Sequence, residues 1–161
     1  MLAVVSDSSP APAQPRVGRI LALDVGDRRI GVAVSDELGL TAQGVTTIHR
    51  RSWAVDLAEI ARLVGHWGAA TIVVGLPLTL EGSEGARAGI VRTFMKRLEG
   101  VVQVPVTTWD ERFSTVTAER VLIDADLSRA KRRQVVDKTA AVVILQHYLD
   151  TRANQAAEGG S

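Results

Sequence analysis

Residues 20–36 read ILALDVGDRRIGVAVSD. Two apolar runs flank the turn sequence Gly26-Asp27-Arg28-Arg29, the pattern of two buried strands joined by a tight connection. Asp24 interrupts the first run. Burying an ionised carboxylate is costly unless something pairs with it, so this position predicts either plain turn chemistry or a partner supplied from elsewhere in the chain.

Working outward, Arg19–Val25, Ile30–Ser35 and Gly44–His49 form three short runs separated by turn residues, a three-stranded meander. After them helical and strand patterns alternate. Val55–Trp67 carries Leu57, Ile60, Ala61 and Val64 on one helical face, Thr71–Gly75 is a buried strand, and Arg87–Leu98 is a helix. Val104–Trp109 is a fifth strand, followed by helices over Thr115–Ile123 and Gln134–Asp150. The order βββαβαβαα predicts an α/β fold: a mixed five-stranded sheet with helices on its faces and right-handed crossovers.

With 161 residues the chain is the size of one domain. Hydrophobic residues make up 46% and aromatics only 4%, so aliphatic side chains must build the core. The net charge of +1 neither demands nor excludes a nucleic-acid partner. The absence of cysteine excludes disulfides, Cys-based zinc sites and thiol nucleophiles, and suits a reducing cytoplasm. No apolar run is long enough to span a membrane, and MLAVV is too short for a signal peptide, so the expected location is cytoplasmic. The Pro/Ala/Ser-rich stretch before Arg16 predicts a disordered arm over residues 1–17. A folded domain is expected over 18–151, and a disordered tail over 152–161.

Ligands in open α/β sheets bind beyond the carboxyl ends of the parallel strands. The first strand delivers Asp24 there, the fourth Gly75-Leu76-Pro77, and the fifth Asp110-Glu111-Arg112, ahead of Ser114 as a helix N-cap. Asp137 heads a helical stripe otherwise made of Ala141, Ile144, Leu145 and Tyr148, the face that must pack on the sheet. Taken alone, each carboxylate has an ordinary explanation, in turn chemistry, a solvated loop or the helix dipole. Together they do not: at about 4 Å and an effective dielectric near 20, each like-charge pair costs about 4 kcal/mol. Protonation or a shared cation removes that cost, and for a cation, oxygen-only ligands suit Mg²⁺ or Mn²⁺. His49, His66 and His147 lack metal-ligand spacing and read as structural.

The segments LALDVGDRRIGVAVSD, VVGLPLTLEGSEG, WDERFST and VVDKTAAVVILQHYL, in this order from about Gly18 to Leu149, resemble the YqgF/RuvX family of pre-16S rRNA nucleases and Holliday-junction-resolvase-like nucleases. The resemblance implies a ribonuclease H-like fold and a divalent-metal nuclease. Its D-x-G, D-E-R and D-x-x-A-A motifs carry the catalytic, metal-binding role onto Asp24, Glu111 and Asp137. Related resolvases often use a fourth acid; Asp110 is nearest, but strand alternation turns it away from Glu111.

The implied chemistry is phosphodiester hydrolysis assisted by two ions about 3.5–4 Å apart, with no side-chain nucleophile. Arg28 and Arg29 after Asp24, Arg112 after Glu111, and Arg129, Lys131, Arg132 and Arg133 before Asp137 are candidate contacts to a nucleic-acid backbone. LEGSEGARAG lacks the Lys-Ser/Thr ending of a P-loop and reads as a substrate-facing loop. Trp109 is a candidate for base stacking but fits a core role better, and Trp53 and Trp67 read as packing residues.

RNA, and specifically the 5′ end of pre-16S rRNA, is the expected substrate, with branched or single-stranded DNA the alternative. Two rivals remain at this level. One is an actin/hexokinase-type ATPase, which needs two such domains where this chain has room for one. The other is a non-catalytic ribosome-assembly factor that binds RNA through the basic segment.

Overall fold

The computed structural model describes residues 18–78, 82–111 and 129–159, without the side chains of 129–139 and 159. Within them lie strands β1 (Arg19–Val25), β2 (Arg29–Ser35), β3 (Ala42–His49), β4 (Ala69–Leu76) and β5 (Val106–Asp110). The helices are α1 (Trp53–Trp67), α2 (Ala86–Glu99) and α3 (Arg129–Gly159). The sheet order is β3-β2-β1-β4-β5. The β1–β2 and β2–β3 pairs are antiparallel, while β4 runs parallel to both β1 and β5. This is the mixed five-stranded sheet that the order of elements predicts. The expected helix over Thr115–Ile123 and the expected disordered arm over 1–17 lie outside the described residues.

Alternation along the strands sorts the core into two layers. Leu21, Leu23 and Val25 of β1, with Ile72, Val74 and Leu76 of β4, face α1 and α2, where Leu57, Ile60, Phe94 and Leu98 are buried. Ile20, Ala22, Ala33 and Val73 face the other way, onto Ala140, Ala141, Ile144, Leu145 and Leu149 of α3. A sheet buried on both faces explains why β1 and β2 read as almost continuous apolar runs.

Local chemistry fixes the connections. The β1–β2 turn closes with Gly26 N–H donating to Arg29 O at 2.8 Å; a Cβ at Gly26 would lie 2.9 Å from that same oxygen. Arg50 straps this turn to α1: its backbone N–H donates to Arg28 O, its guanidinium donates to Gly26 O at 3.1 Å, and the cation lies over Trp53 and Phe94. Buried Asp56 accepts from Arg51 N–H and sits 3.8 Å from Arg50 Nε. Ser52 caps α1 by accepting from Val55 N–H, and Gly68 ends it in the left-handed region at φ 62°.

The element boundaries differ from expectation in physically simple ways. α1 begins at Trp53, set by the Ser52 cap rather than by the first apolar residue of the stripe. β5 starts at Val106, two residues late, because Pro105 ends the preceding loop with only its carbonyl engaged, accepting from Ile72 N–H. α3 is the largest correction. Residues 152–159, expected as part of a disordered tail, continue the helix to Gly159. The stretch Arg-Ala-Asn-Gln-Ala-Ala-Glu is mostly good helix formers with no Gly or Pro, and helix propensity requires no apolar face.

Candidate active site

The carboxyl ends of β1, β4 and β5 lie side by side at one edge of the sheet. Asp24 follows Ile20 and Ala22 on the face of β1 that α3 covers, and it is only 7% exposed. One strand over, Gly75 follows Val74, which pairs with Leu23 just ahead of Asp24. Two strands over, Glu111 follows β5 directly and reaches back across β4. A Cβ built on Gly75 would lie 2.5 Å from Glu111 Oε1 and 2.6 Å from Ile144 Cδ1 of α3. The Glu111 carboxylate therefore rests on the bare backbone of Gly75, on the same face as Asp24 and against the tip of Ile144.

Asp110 belongs to the opposite face. It pairs with Leu76, in line with Ile72↔Val106 and Val74↔Thr108, the residues turned toward α1 and α2. Trp109 faces α3, packing edge-on against Tyr148 with ring centroids 5.8 Å apart. Its indole N–H is buried with no hydrogen-bond partner among the described residues. Trp53 stacks on Phe94 at 6.0 Å and Trp67 packs against the α1/α2-side core, the packing roles expected of them.

Asp137 lies in α3, seven residues and hence about two turns ahead of Ile144, though its side chain lies outside the described residues. Eight helical residues precede it, so it is not a first-turn residue and the helix-dipole explanation for an acid at this place does not apply. Among the described residues no three His, Cys, Asp or Glu side chains gather in one metal-ligating group. Asp24 and Glu111 are the members of the expected triad whose side chains are described.

Of the expected cationic contacts, Arg28 is exposed in the β1–β2 turn next to the Asp24 edge, and Arg29 is half-buried opposite His49 of β3. Arg129, Lys131, Arg132 and Arg133 occupy the first turns of α3, with side chains outside the described set, and Arg112 lies outside the described residues. A groove of about 610 Å³ lined by Thr46, His49, Val55, Glu59 and Arg62 lies at the β3 edge beside α1, and neither Asp24 nor Glu111 lines it.

Two residues to which pattern reading gave no role help to place these elements, Gly75 at the carboxylate edge and Gln146 at the opposite end of the strands. The sequence delivers Gly75 to the ligand edge but gives it no role, although a glycine inside an apolar strand signals a close approach. Gln146 lies off the apolar stripe of α3. Its Oε1 accepts from Ala42 N–H and its Nε2 donates to Leu40 O, each at 3.0 Å, tying the helix to the start of β3.

A sheet of three antiparallel strands continued by two parallel ones, with a long helix packed across the face that carries Asp24 and Glu111, is the arrangement of the ribonuclease H-like class. RuvC of T. thermophilus, solved in complex with a Holliday junction substrate, shares the fold with a TM-score of 0.55 at 12% identity, over 84% of this chain and 96% of that one. The fowlpox virus Holliday junction resolvase gives 0.51 at 10% identity, over 83% and 99%. Within that class the chain belongs to the RuvX family, whose model, described as Holliday junction resolvase, matches residues 18–151. Relatives named "Putative pre-16S rRNA nuclease" include one from Symbiobacterium thermophilum, 55% identical over 140 residues covering 87% of this chain and 97% of the relative. Another, from Moorella thermoacetica, is 55% identical over 132 residues, 82% of this chain and 94% of the relative.

Proposed function

We propose that this chain is a divalent-metal-dependent nuclease that hydrolyses phosphodiester bonds in the 5′ region of pre-16S rRNA, in the cytoplasm. The observation that carries the reading is the placement of Asp24 and Glu111 on one face of the sheet, either side of a residue without a side chain. Family membership and the relatives' names support it.

The donor set fits Mg²⁺ or Mn²⁺: hard carboxylate oxygens, with no cysteine in the chain and the histidines spread over β3, α1 and α3. Asp24, Glu111 and Asp137 would hold the metal. When bound, the divalent ions lower the pKa of water and stabilise the developing charge on the leaving oxygen. The chain's own part is to fix the acids on rigid elements: Asp24 in the central strand, Glu111 at the end of β5, Asp137 within a long helix. Arg28, Arg29, Arg112, Arg129, Lys131, Arg132 and Arg133 hold the phosphate backbone over the site, an attraction that weakens as salt rises.

Cleavage of DNA junctions is the second reading, favoured by the family description and by the shared fold of RuvC. The test is cleavage of a labelled pre-16S rRNA fragment and a four-way DNA junction in Mn²⁺, with EDTA as control. Faster cleavage of the RNA supports the proposal and faster cleavage of the junction supports the second reading. Tight RNA binding without cleavage of either substrate refutes both in favour of a non-catalytic assembly factor.

A further inference from the structure

We propose that Gly75 is a positioning residue for the metal site: its missing side chain leaves the notch in which the Glu111 carboxylate lies beside the Asp24 strand and beneath α3. The proposal rests on the nuclease reading and extends it to a residue outside the acidic triad.

A Cβ at this position would meet two atoms at once, Glu111 Oε1 at 2.5 Å and Ile144 Cδ1 at 2.6 Å. Ordinary van der Waals contact begins near 3.4 Å, so the carboxylate would retreat by about 0.9 Å and the isoleucine tip by about 0.8 Å. These two movements have different consequences. Glu111 ends in a flexible chain at the rim of the sheet and yields readily, carrying its oxygen away from where it must ligate. Ile144, on the face of α3 that packs on β1 and β4, is fully buried, so it yields only by straining the packing or lifting the helix that carries Asp137.

No backbone requirement explains the glycine instead. Gly75 lies inside a regular parallel ladder, between Val74↔Thr108 and Leu76↔Asp110, and is not among the glycines with positive φ. What the position demands is space above the sheet. A strand-interior glycine weakens a sheet, and here the space it leaves is occupied by the carboxylate and the helix.

The test separates positioning from packing. Gly75→Ala places the Cβ against both neighbours; combining it with Ile144→Val removes Cδ1 and leaves Glu111 as the remaining close contact. Mn²⁺ binding to the full chain without nucleic acid is measured by calorimetry for wild type, Gly75→Ala, Ile144→Val, the double variant and Asp24→Asn, alongside thermal unfolding. The expected result is that Gly75→Ala weakens Mn²⁺ binding by about tenfold or more. The double variant regains most of the lost melting temperature but not the affinity. If it binds Mn²⁺ as tightly as Ile144→Val, Gly75 serves packing alone and this proposal is overturned while the nuclease reading stands. If wild type and Asp24→Asn bind Mn²⁺ equally, the metal site itself fails, and the proposal with it.

Discussion

Gln146 offers a direct measure of what holds α3, and with it Asp137, in register on the sheet. Its side-chain amide behaves as an extra rung of the sheet, accepting from Ala42 N–H and donating to Leu40 O, while Nε2 also lies 3.0 Å from Asp150 Oδ1. Gln146→Ala removes both backbone hydrogen bonds. Each contributes about 0.5–1.5 kcal/mol net, and a half-buried Ala42 N–H left unpaired costs toward the upper end, whereas Leu40 is exposed and its carbonyl turns to water. The sum is about 2 kcal/mol, equivalent to a fall of about 4–8 °C in melting temperature for a chain of this size. Urea unfolding followed by circular dichroism measures it, with the midpoint shifting and the m-value constant. A loss under about 0.5 kcal/mol would refute the claim that this clamp fixes the helix.

Ser35→Ala should destabilise by about 1–3 kcal/mol in the same assay, because the fully buried Ser35 Oγ accepts from Ile20 N–H at 2.8 Å and alanine leaves that donor unpaired inside the core. Asp36 should titrate below the ordinary carboxylate range when followed by NMR, since Thr41 N–H, with further backbone donors including Leu40 N–H, hydrogen-bonds its ionised form. A folded-state pKa below the unfolded one contributes stability above the unfolded value and loses it as pH falls through the folded value. The stability advantage of wild type over Asp36→Ala should therefore shrink below about pH 4. A titration at or above the unperturbed value would contradict the hairpin geometry.

The architecture was legible because both layers of the core follow the two-residue alternation of the strands. Ile20, Ala22 and Asp24 fall on one face, Leu21, Leu23 and Val25 on the other, and the apolar stripe of α3 supplies the partner for the first set. The same parity that separates Asp110 from Glu111 in sequence separates them in space. Other features resisted pattern reading for physical reasons. The notch at Gly75 exists only where three elements meet, and a glycine in a sequence does not say what occupies the space above it. The Gln146 clamp joins residues more than a hundred positions apart. The continuation of α3 through residues 152–159 rests on local propensity without burial, which a search for apolar periodicity passes over.

The central claim is that Asp24 lies at the centre of a metal-assisted cleavage site rather than in an ordinary strand-end turn. Single-turnover cleavage of the preferred nucleic acid in saturating Mn²⁺, compared between wild type and the isosteric Asp24→Asn, tests it most directly, with nucleic-acid affinity measured in EDTA as the companion value. The account predicts a rate lower by more than about a hundredfold with affinity changed by less than about twofold. Equal cleavage rates for the two proteins would contradict it.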